Sequence, residues 1–227
     1  MSDPTRAQRA SSFGSRAAEY AEHRPDYPRE AIEWGLSGAD GTPRRVLDLG
    51  AGTGKLTLGL AALGLDVTAV EPDPEMRAEL ERLVPTARSS AGRAERIPLL
   101  DAEVDAVFAG QAFHWFDVPA AMTEIGRVLR PGGKLASSYY LINDDSLAAL
   151  KNGKTDLTLY PGDRYWTNNP NIPEDLTALD EAWLRGAYAA AGLTIETVLR
   201  GAWTGAKVDP GLISMNRQDI IVARAAA

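Results

Sequence analysis

The segment DLGAGTG, residues 48–54, places an aspartate two residues before the first of three alternating glycines. Glycine lets the backbone turn tightly, and it lets a ligand approach the chain without a Cβ in the way. The segment follows an apolar run and precedes a predicted helix, whose first N–H groups lack intrahelical partners. This combination predicts a strand, a turn and a helix that together bind a small ligand. The alternative is a tight strand-to-helix turn that binds nothing.

Two phosphate-binding loops share part of this glycine pattern. A P-loop needs a glycine five residues before its Gly-Lys pair and Ser or Thr directly after it, but Leu49 and Leu56 occupy those positions. A dinucleotide loop ends in a third glycine, where this chain has Lys55. Because Asp48 would also repel a diphosphate at the helix N-terminus, the segment favours a cationic ligand.

A second acidic residue, Glu71, follows the apolar run of residues 66–70. It lies about twenty residues beyond the glycines, the offset at which a carboxylate binds ribose hydroxyls in nucleotide-binding βαβ units. One carboxylate can accept two hydrogen bonds from a vicinal diol. A solvated carboxylate at a strand end is the alternative, but the combination with Asp48 and the glycines favours ribose binding.

Strands that end at one edge of a sheet are needed to bring these residues together. We expect strands over residues 46–49, 66–70, 87–90, 104–109, 134–142, 193–199 and 218–223. We expect helices over residues 15–22, 28–36, 56–63, 74–83, 119–129 and 179–191. In such alternating α/β chains the ligand lies beyond the carboxyl ends of the strands. The last two strands are predicted as an antiparallel edge hairpin.

Composition limits the classes of protein that fit. The 227 residues are enough for one domain, and 44% hydrophobic with 24% charged residues is ordinary for a globular protein. A net charge of −7 argues against nucleic-acid binding. With no cysteine and two histidines, no metal site is expected. No apolar run reaches membrane-spanning length and no signal-peptide core is present, so we expect a cytoplasmic protein with no membrane partner.

The glycine segment resembles the D/E-x-G-x-G-x-G signature of class I S-adenosylmethionine-dependent methyltransferases. Further resemblance lies in GQAFHWF at residues 110–116 and LRPGGKL at residues 129–135. These strings are similar to the group that includes ubiquinone-type methyltransferases and trans-aconitate methyltransferase relatives. The resemblance covers nearly the whole chain. It implies an α/β fold with a Rossmann-like doubly wound sheet of seven strands, mostly parallel with an antiparallel last strand, helices on both faces and a small N-terminal helical lid.

The resemblance also implies one methyltransferase domain over residues 1–227, acting as a monomer or homodimer. Its parts would be an N-terminal helical lid over 1–40, a cofactor-binding core over 41–142, an acceptor-side insertion over 143–180, and a C-terminal helix with the edge hairpin over 181–227.

The implied cofactor is S-adenosyl-L-methionine, which becomes S-adenosyl-L-homocysteine. It carries an amine and a sulfonium but no phosphate, which suits Asp48. The resemblance implies that the cofactor-binding residues are Tyr20, Arg24, Asp48, Gly50, Ala51, Gly52, Gly54, Glu71, Pro72, Met76, Ala94, Glu95 and Gln111. Ala94 would act through its backbone amide, and Tyr20 would pack near the methionyl part. A plain packing role is the alternative for Tyr20.

The implied reaction is methyl transfer to a small-molecule acceptor at O, N or activated C, by in-line displacement. Positioning and desolvation would supply most of the catalysis. His114 is the candidate general base, since its ordinary pKa suits a base near neutrality; a structural histidine between two aromatic rings is the alternative. The candidate acceptor contacts are His114, Trp115, Tyr139, Tyr160, Asp163, Tyr165 and Trp166.

Two other functions stay open at this point. An NAD-dependent oxidoreductase would share the βαβ unit, although Asp48 and Lys55 argue against it. A protein that binds S-adenosylmethionine without transferring its methyl group is the second alternative.

Overall fold

The computed structural model describes residues 27–38, 41–171, 176–205 and 218–226. Its helices are α1 (Arg29–Leu36), α2 (Lys55–Ala62), α3 (Pro74–Leu83), α4 (Val118–Val128), α5 (Asp144–Lys151) and α6 (Glu181–Ala190). Its strands are β1 (Arg45–Leu49), β2 (Asp66–Val70), β3 (Arg88–Ser90), β4 (Val104–Ala109), β5 (Leu129–Ile142), β6 (Tyr160–Pro161), β7 (Tyr165–Thr167), β8 (Thr177–Asp180), β9 (Leu193–Leu199) and β10 (Asp219–Ala225). The predicted helix over 15–22, Tyr20 and Arg24 lie outside these ranges.

Seven of these strands form the sheet that the sequence predicts. The order is β3-β2-β1-β4-β5-β10-β9, in which β1 to β5 are parallel. Strand β10 runs antiparallel to both β5 and β9. The Rossmann-like, mostly parallel sheet with an antiparallel last strand is therefore confirmed. The chain leaves β1 towards β2 on one side and reaches β4 on the other, which makes the carboxyl ends of β1 and β4 the topological switch point.

Three short strands raise the number beyond the predicted seven. Strand β8 pairs in parallel with the last residues of β5, and the β6–β7 hairpin continues from β8. Strand β10 stops pairing with β5 at Tyr139, opposite Asp219. Residues 140–142 extend beyond the pairing of β5 with both β4 and β10, and β8 pairs with them there. The segment 143–180, predicted as an acceptor-side insertion, contributes α5 and these three short strands.

Several boundaries also differ from the sequence prediction, and those of β5 and α6 have a structural reason. Strand β5 begins at Leu129 rather than Lys134, because Leu129 already pairs with Val104 before a register shift in the Pro-Gly-Gly segment. Helix α6 begins at Glu181 rather than Leu179, because residues 177–180 belong to β8. Among the described residues, the helices are too short or too polar to cross a bilayer.

Side chains on β5 alternate between two hydrophobic layers, as period-two strands require. Leu135, Tyr139 and Leu141 face the layer covered by α4 and α6. Ala136 faces the layer that holds Ile32 of α1 together with side chains of α2. This alternation decides which residues near the carboxyl end of β5 can reach a ligand.

Candidate functional site

The glycine turn joins β1 to α2 and is fastened to the end of β2. The backbone N–H of Gly50 donates to the carbonyl of Val70 at 2.9 Å, and that of Ala51 donates to the same oxygen at 3.2 Å. Gly50, Gly52 and Gly54 have φ values of 70°, 56° and 88°. These left-handed conformations favour glycine, so the spacing in the sequence reflects the backbone path of this turn.

Close packing makes two of these glycines necessary for a second reason. A Cβ built on Gly50 would lie 2.8 Å from the Cβ of Ala112, and one on Gly54 would lie 2.9 Å from Cγ of Leu80. At Gly52 the nearest atom to such a Cβ is the sulfur of Met76, at 3.8 Å. Gly50 and Gly54 thus allow close packing, whereas Gly52 is not crowded.

Asp48 lies on β1 just before the turn and is 1% exposed. Its Oδ2 accepts a hydrogen bond of 2.6 Å from the hydroxyl of Thr57 in α2. Burial raises the pKa of the Asp48 carboxyl to about 7, Thr57 opposes that rise, and the nearby Glu71 carboxylate adds to it. A buried carboxylate next to a second one is a favourable site for a cationic group.

Glu71 follows β2 and also reaches the glycine turn. Its Oε2 accepts a hydrogen bond from the amide of Gly52 at 2.8 Å, and its Oε1 accepts one from the amide of Asp73 at 2.9 Å. Burial raises the pKa of the Glu71 carboxyl above its ordinary value. A carboxylate oxygen has two lone pairs, so each oxygen keeps one acceptor position for a diol.

The residues after Glu71 differ in their exposure. Pro72 is exposed, whereas Met76 is buried at the start of α3, where its amide donates to the capping Asp73 side chain at 3.0 Å. Ala94 is buried. Glu95 is half-buried, and its Oε1 accepts a hydrogen bond of 2.8 Å from the amide of Asp117, the residue that caps α4.

The segment after β4 borders the same crevice from the other side. Gln111 has a φ of 52°, unusual for a residue with a side chain, and its amide donates to the hydroxyl of Ser138 at 2.9 Å. A single 3₁₀ turn, Phe113–Trp115, follows. Phe113 is buried, while His114 and Trp115 are half-buried with ring centroids 5.3 Å apart. Non-glycine residues held in such backbone conformations cluster at functional sites.

Tyr139, which was predicted to contact an acceptor, lies in the interior. Its side chain is 3% exposed and packs against Phe113 with ring centroids 4.9 Å apart. Its hydroxyl lies 2.9 Å from the hydroxyls of Ser137 and Tyr188, so it completes a buried polar network. Because side chains alternate along β5, Tyr139 points into the layer of α4 and α6.

The next residue, Tyr140, was not predicted as a site residue. It is half-buried on the opposite face of β5 and lies edge-on against Trp203, with centroids 5.6 Å apart. Trp203 belongs to a small core with Ile142 and Ala178. Side chains alternate along β5, so Tyr139 and Tyr140 must face opposite sides of the sheet. The sequence alone does not tell which side is covered by helices, and so it did not tell which tyrosine is buried.

The predicted acceptor contacts on the β6–β7 hairpin do not share one surface. Tyr165 packs against the layer of α4 and α6, while Trp166 packs against the small core that contains Trp203. Tyr160 is 48% exposed. Asp163 is also exposed. Because neighbouring strand residues face opposite sides, Tyr165 and Trp166 cannot line the same pocket.

Comparison with known proteins shows which of them are similar to the part of the chain that forms this site. The model of the methyltransferase domain family matches residues 47–137, which contain the glycine turn, Glu71 and the segment after β4. An uncharacterised methyltransferase of Mycobacterium bovis is 55% identical over 124 residues, 55% of this chain and 50% of that protein. The part of the chain from β1 to β5 is therefore similar in sequence to methyltransferase domains.

Two further proteins are similar over more of the chain. The malonyl-[acyl-carrier protein] O-methyltransferase of Enterobacter lignolyticus is 29% identical, over 82% of this chain and 72% of that one. The CcbJ methyltransferase of Streptomyces caelestis shares the fold with a TM-score of 0.64 at 20% identity, over 96% of this chain and 99% of that one. The chain spans about half the length of the Mycobacterium bovis relative that it matches.

Proposed function

We propose that this chain is a class I methyltransferase, which binds S-adenosyl-L-methionine at the carboxyl ends of β1, β2 and β4 and transfers its methyl group to a small molecule. The observation that carries the proposal is the pair of buried carboxylates, Asp48 and Glu71, at one glycine turn that is uncrowded at Gly52. The cofactor presents a cationic amine, a sulfonium and a ribose diol. A buried anion, and a second carboxylate with free acceptor positions, are complementary to those groups.

Each binding residue would meet one part of the cofactor. Asp48 would accept hydrogen bonds from the amine, and Glu71 would accept two from the ribose hydroxyls. The turn around Gly52 would lie against the cofactor, with Met76 close to the same place. The segment from Gln111 to Trp115 would border the transferred methyl group, since it follows β4 at the switch point.

The reaction we propose is one in-line displacement. The bond from sulfur to methyl breaks as the bond from methyl to the acceptor forms, the electron pair stays on sulfur, and any acceptor proton leaves to a base or to water. His114 is the proposed base because it is half-buried on the turn after β4. The acceptor atom is O, N or activated C; the name of the Enterobacter lignolyticus relative supports a carboxyl oxygen as one class to include.

Calorimetric titration with S-adenosylmethionine and S-adenosylhomocysteine, with NAD as a control ligand, tests the proposal. We expect binding of both adenosyl ligands, no binding of NAD, and a loss of affinity of roughly 30-fold or more in Asp48→Asn and Glu71→Gln. The matched control is Asp66→Asn, an exposed carboxylate at the start of β2. Binding of NAD alone would instead support the oxidoreductase.

Activity is tested separately by the formation of S-adenosylhomocysteine with a panel of carboxylic acids, phenols, amines and enolisable carbonyl compounds. Turnover of at least one class is expected. Cofactor binding without turnover across the panel would support a binding protein and overturn the proposed transfer.

A further inference from the structure

Thr57 is a buried side chain that contacts Asp48 and that no sequence motif singled out. It is 0% exposed and lies in the first turn of α2. Its hydroxyl donates to Oδ2 of Asp48 at 2.6 Å, a short distance typical of a hydrogen bond to a charged oxygen. The two residues join the end of β1 to α2 across the glycine turn.

The first turn of α2 lacks a capping side chain of its own. The first N–H groups of a helix have no intrahelical acceptor, and a side chain at the N-cap position usually supplies one. The N-cap residue of α2 is Gly54, which has no side chain. The Asp48 carboxylate instead contacts the first turn of α2 through the hydroxyl of Thr57.

A hydrogen bond from a buried donor restricts the rotation of a carboxylate. An ionised carboxylate has about four acceptor positions, so about three stay available for a ligand. Because the donor is the buried Thr57 side chain of α2, the available positions keep a fixed direction. The Glu71 carboxylate also acts on Asp48, because its negative charge disfavours ionisation of the Asp48 carboxyl. Glu71 has no hydrogen-bond donor with which to orient that carboxyl.

We propose that Thr57 is a positioning residue, whose hydroxyl holds the Asp48 carboxylate in the orientation that accepts the cofactor's amine. The inference rests on the proposed function, because it requires S-adenosylmethionine as the ligand. A purely structural threonine would stabilise the turn for every ligand that touches it. A positioning threonine affects only ligands that carry the amine.

The variants Thr57→Val, Thr57→Ala and Thr57→Ser separate these roles. Valine has the shape of threonine without its hydroxyl, alanine is a smaller hydroxyl-free variant that avoids any packing conflict, and serine retains the hydroxyl. The two ligands are S-adenosylmethionine and 5′-methylthioadenosine, which keeps the adenosine and sulfur but lacks the amine.

We expect the hydroxyl-free variants to bind S-adenosylmethionine roughly tenfold more weakly, since one hydrogen bond to a charged group is lost. Their affinity for methylthioadenosine should equal that of the parent, and Thr57→Ser should restore S-adenosylmethionine binding. The pH below which S-adenosylmethionine affinity falls should also move upward in Thr57→Val, because a donor to the ionised carboxylate is gone.

Three outcomes decide the question. If the parent does not bind S-adenosylmethionine, the proposed function fails and the inference fails with it. If the parent binds it but the variants lose affinity for both ligands equally, Thr57 is structural and only the inference is overturned. Unchanged affinity for both ligands in a hydroxyl-free variant would likewise overturn the inference and leave the function standing.

Discussion

Gly50 and Ala112 are packed so closely that a Cβ added to residue 50 would lie 2.8 Å from the Cβ of Ala112. The turn after β1 and the segment after β4 therefore touch at Gly50. The same residue 50 would also place a Cβ 3.1 Å from Cζ of Phe116. A side chain at position 50 would thus push these two segments apart.

Substitution of Gly50 by alanine should destabilise the protein by more than the cost of holding alanine in a left-handed backbone conformation. Gly64 is the matched control, because it has a similar φ of 76° and no atom within 4 Å of an added Cβ. We expect Gly64→Ala to cost about 1–2 kcal/mol of unfolding free energy. Gly50→Ala should cost at least about 1 kcal/mol more, through overpacking. Urea unfolding measures both, and equal losses would contradict the close packing.

The affinity for S-adenosylmethionine should fall as the pH drops below about 7. Burial raises the pKa of Asp48 to about 7 in the cofactor-free protein, and only the ionised form attracts the cationic amine. Each pH unit below this value should then approach a tenfold loss of affinity. Calorimetry between pH 5.5 and 8.5 measures the profile. Methylthioadenosine and the Asp48→Asn variant are the controls, and neither should show this dependence.

The group around Glu181 should contribute stability that disappears in acid. Glu181 accepts hydrogen bonds from Arg200 at 2.8 and 2.9 Å, from Arg185 at 2.7 and 3.0 Å, and from Asn143 at 2.7 Å. Arg200, Asn143 and Arg185 lower the pKa of its carboxyl to about 2. A lowered folded-state pKa stabilises the protein above the ordinary value of 4.5 and loses that contribution as the pH falls towards 2.

Glu181→Gln should therefore cost about 2 kcal/mol at pH 7 and clearly less at pH 3. The comparison variant is Glu33→Gln, which breaks an exposed ion pair with Arg29 in α1. It should cost no more than about 0.5 kcal/mol. Guanidinium unfolding at both pH values gives the difference, and a pH-independent cost for Glu181→Gln would contradict the linkage.

Removal of the Tyr139 hydroxyl should affect stability and leave ligand affinity unchanged. Tyr139→Phe leaves Ser137 and Tyr188 hydrogen-bonded to each other at 2.7 Å, so the expected cost is about 1 kcal/mol. Tyr188→Phe breaks the same network and should not be additive with it. Thermal unfolding of the single and double variants tests this. A changed acceptor KM with unchanged stability would instead place Tyr139 in the acceptor site.

Local pattern in the sequence was enough for much of the fold. The glycine turn, its two flanking elements and the offset of Glu71 all depend on residues close together in the chain, and the structure places Asp48 and Glu71 at the same turn. Periodicity likewise predicted the seven main strands. These features could be predicted because backbone conformation and the side-chain period act over a few residues.

The pairing of β8 and the burial of individual side chains depend on segments that are distant in the sequence. Strand β8 pairs with residues 140–142, which extend beyond the pairing of β5 with β4 and β10, and this is a relation between segments far apart in the chain. The same alternation buries Tyr139 and turns Tyr140 towards Trp203.

The sequence by itself determined that a glycine turn, two acidic residues and an alternating α/β chain belong to one cofactor-binding type of fold. Only the tertiary structure decided that Thr57 meets Asp48 and that Tyr165 and Trp166 face apart. The physical reason is that burial and hydrogen-bond partners are set by packing between distant segments, whereas turns and periodicity are set within a segment.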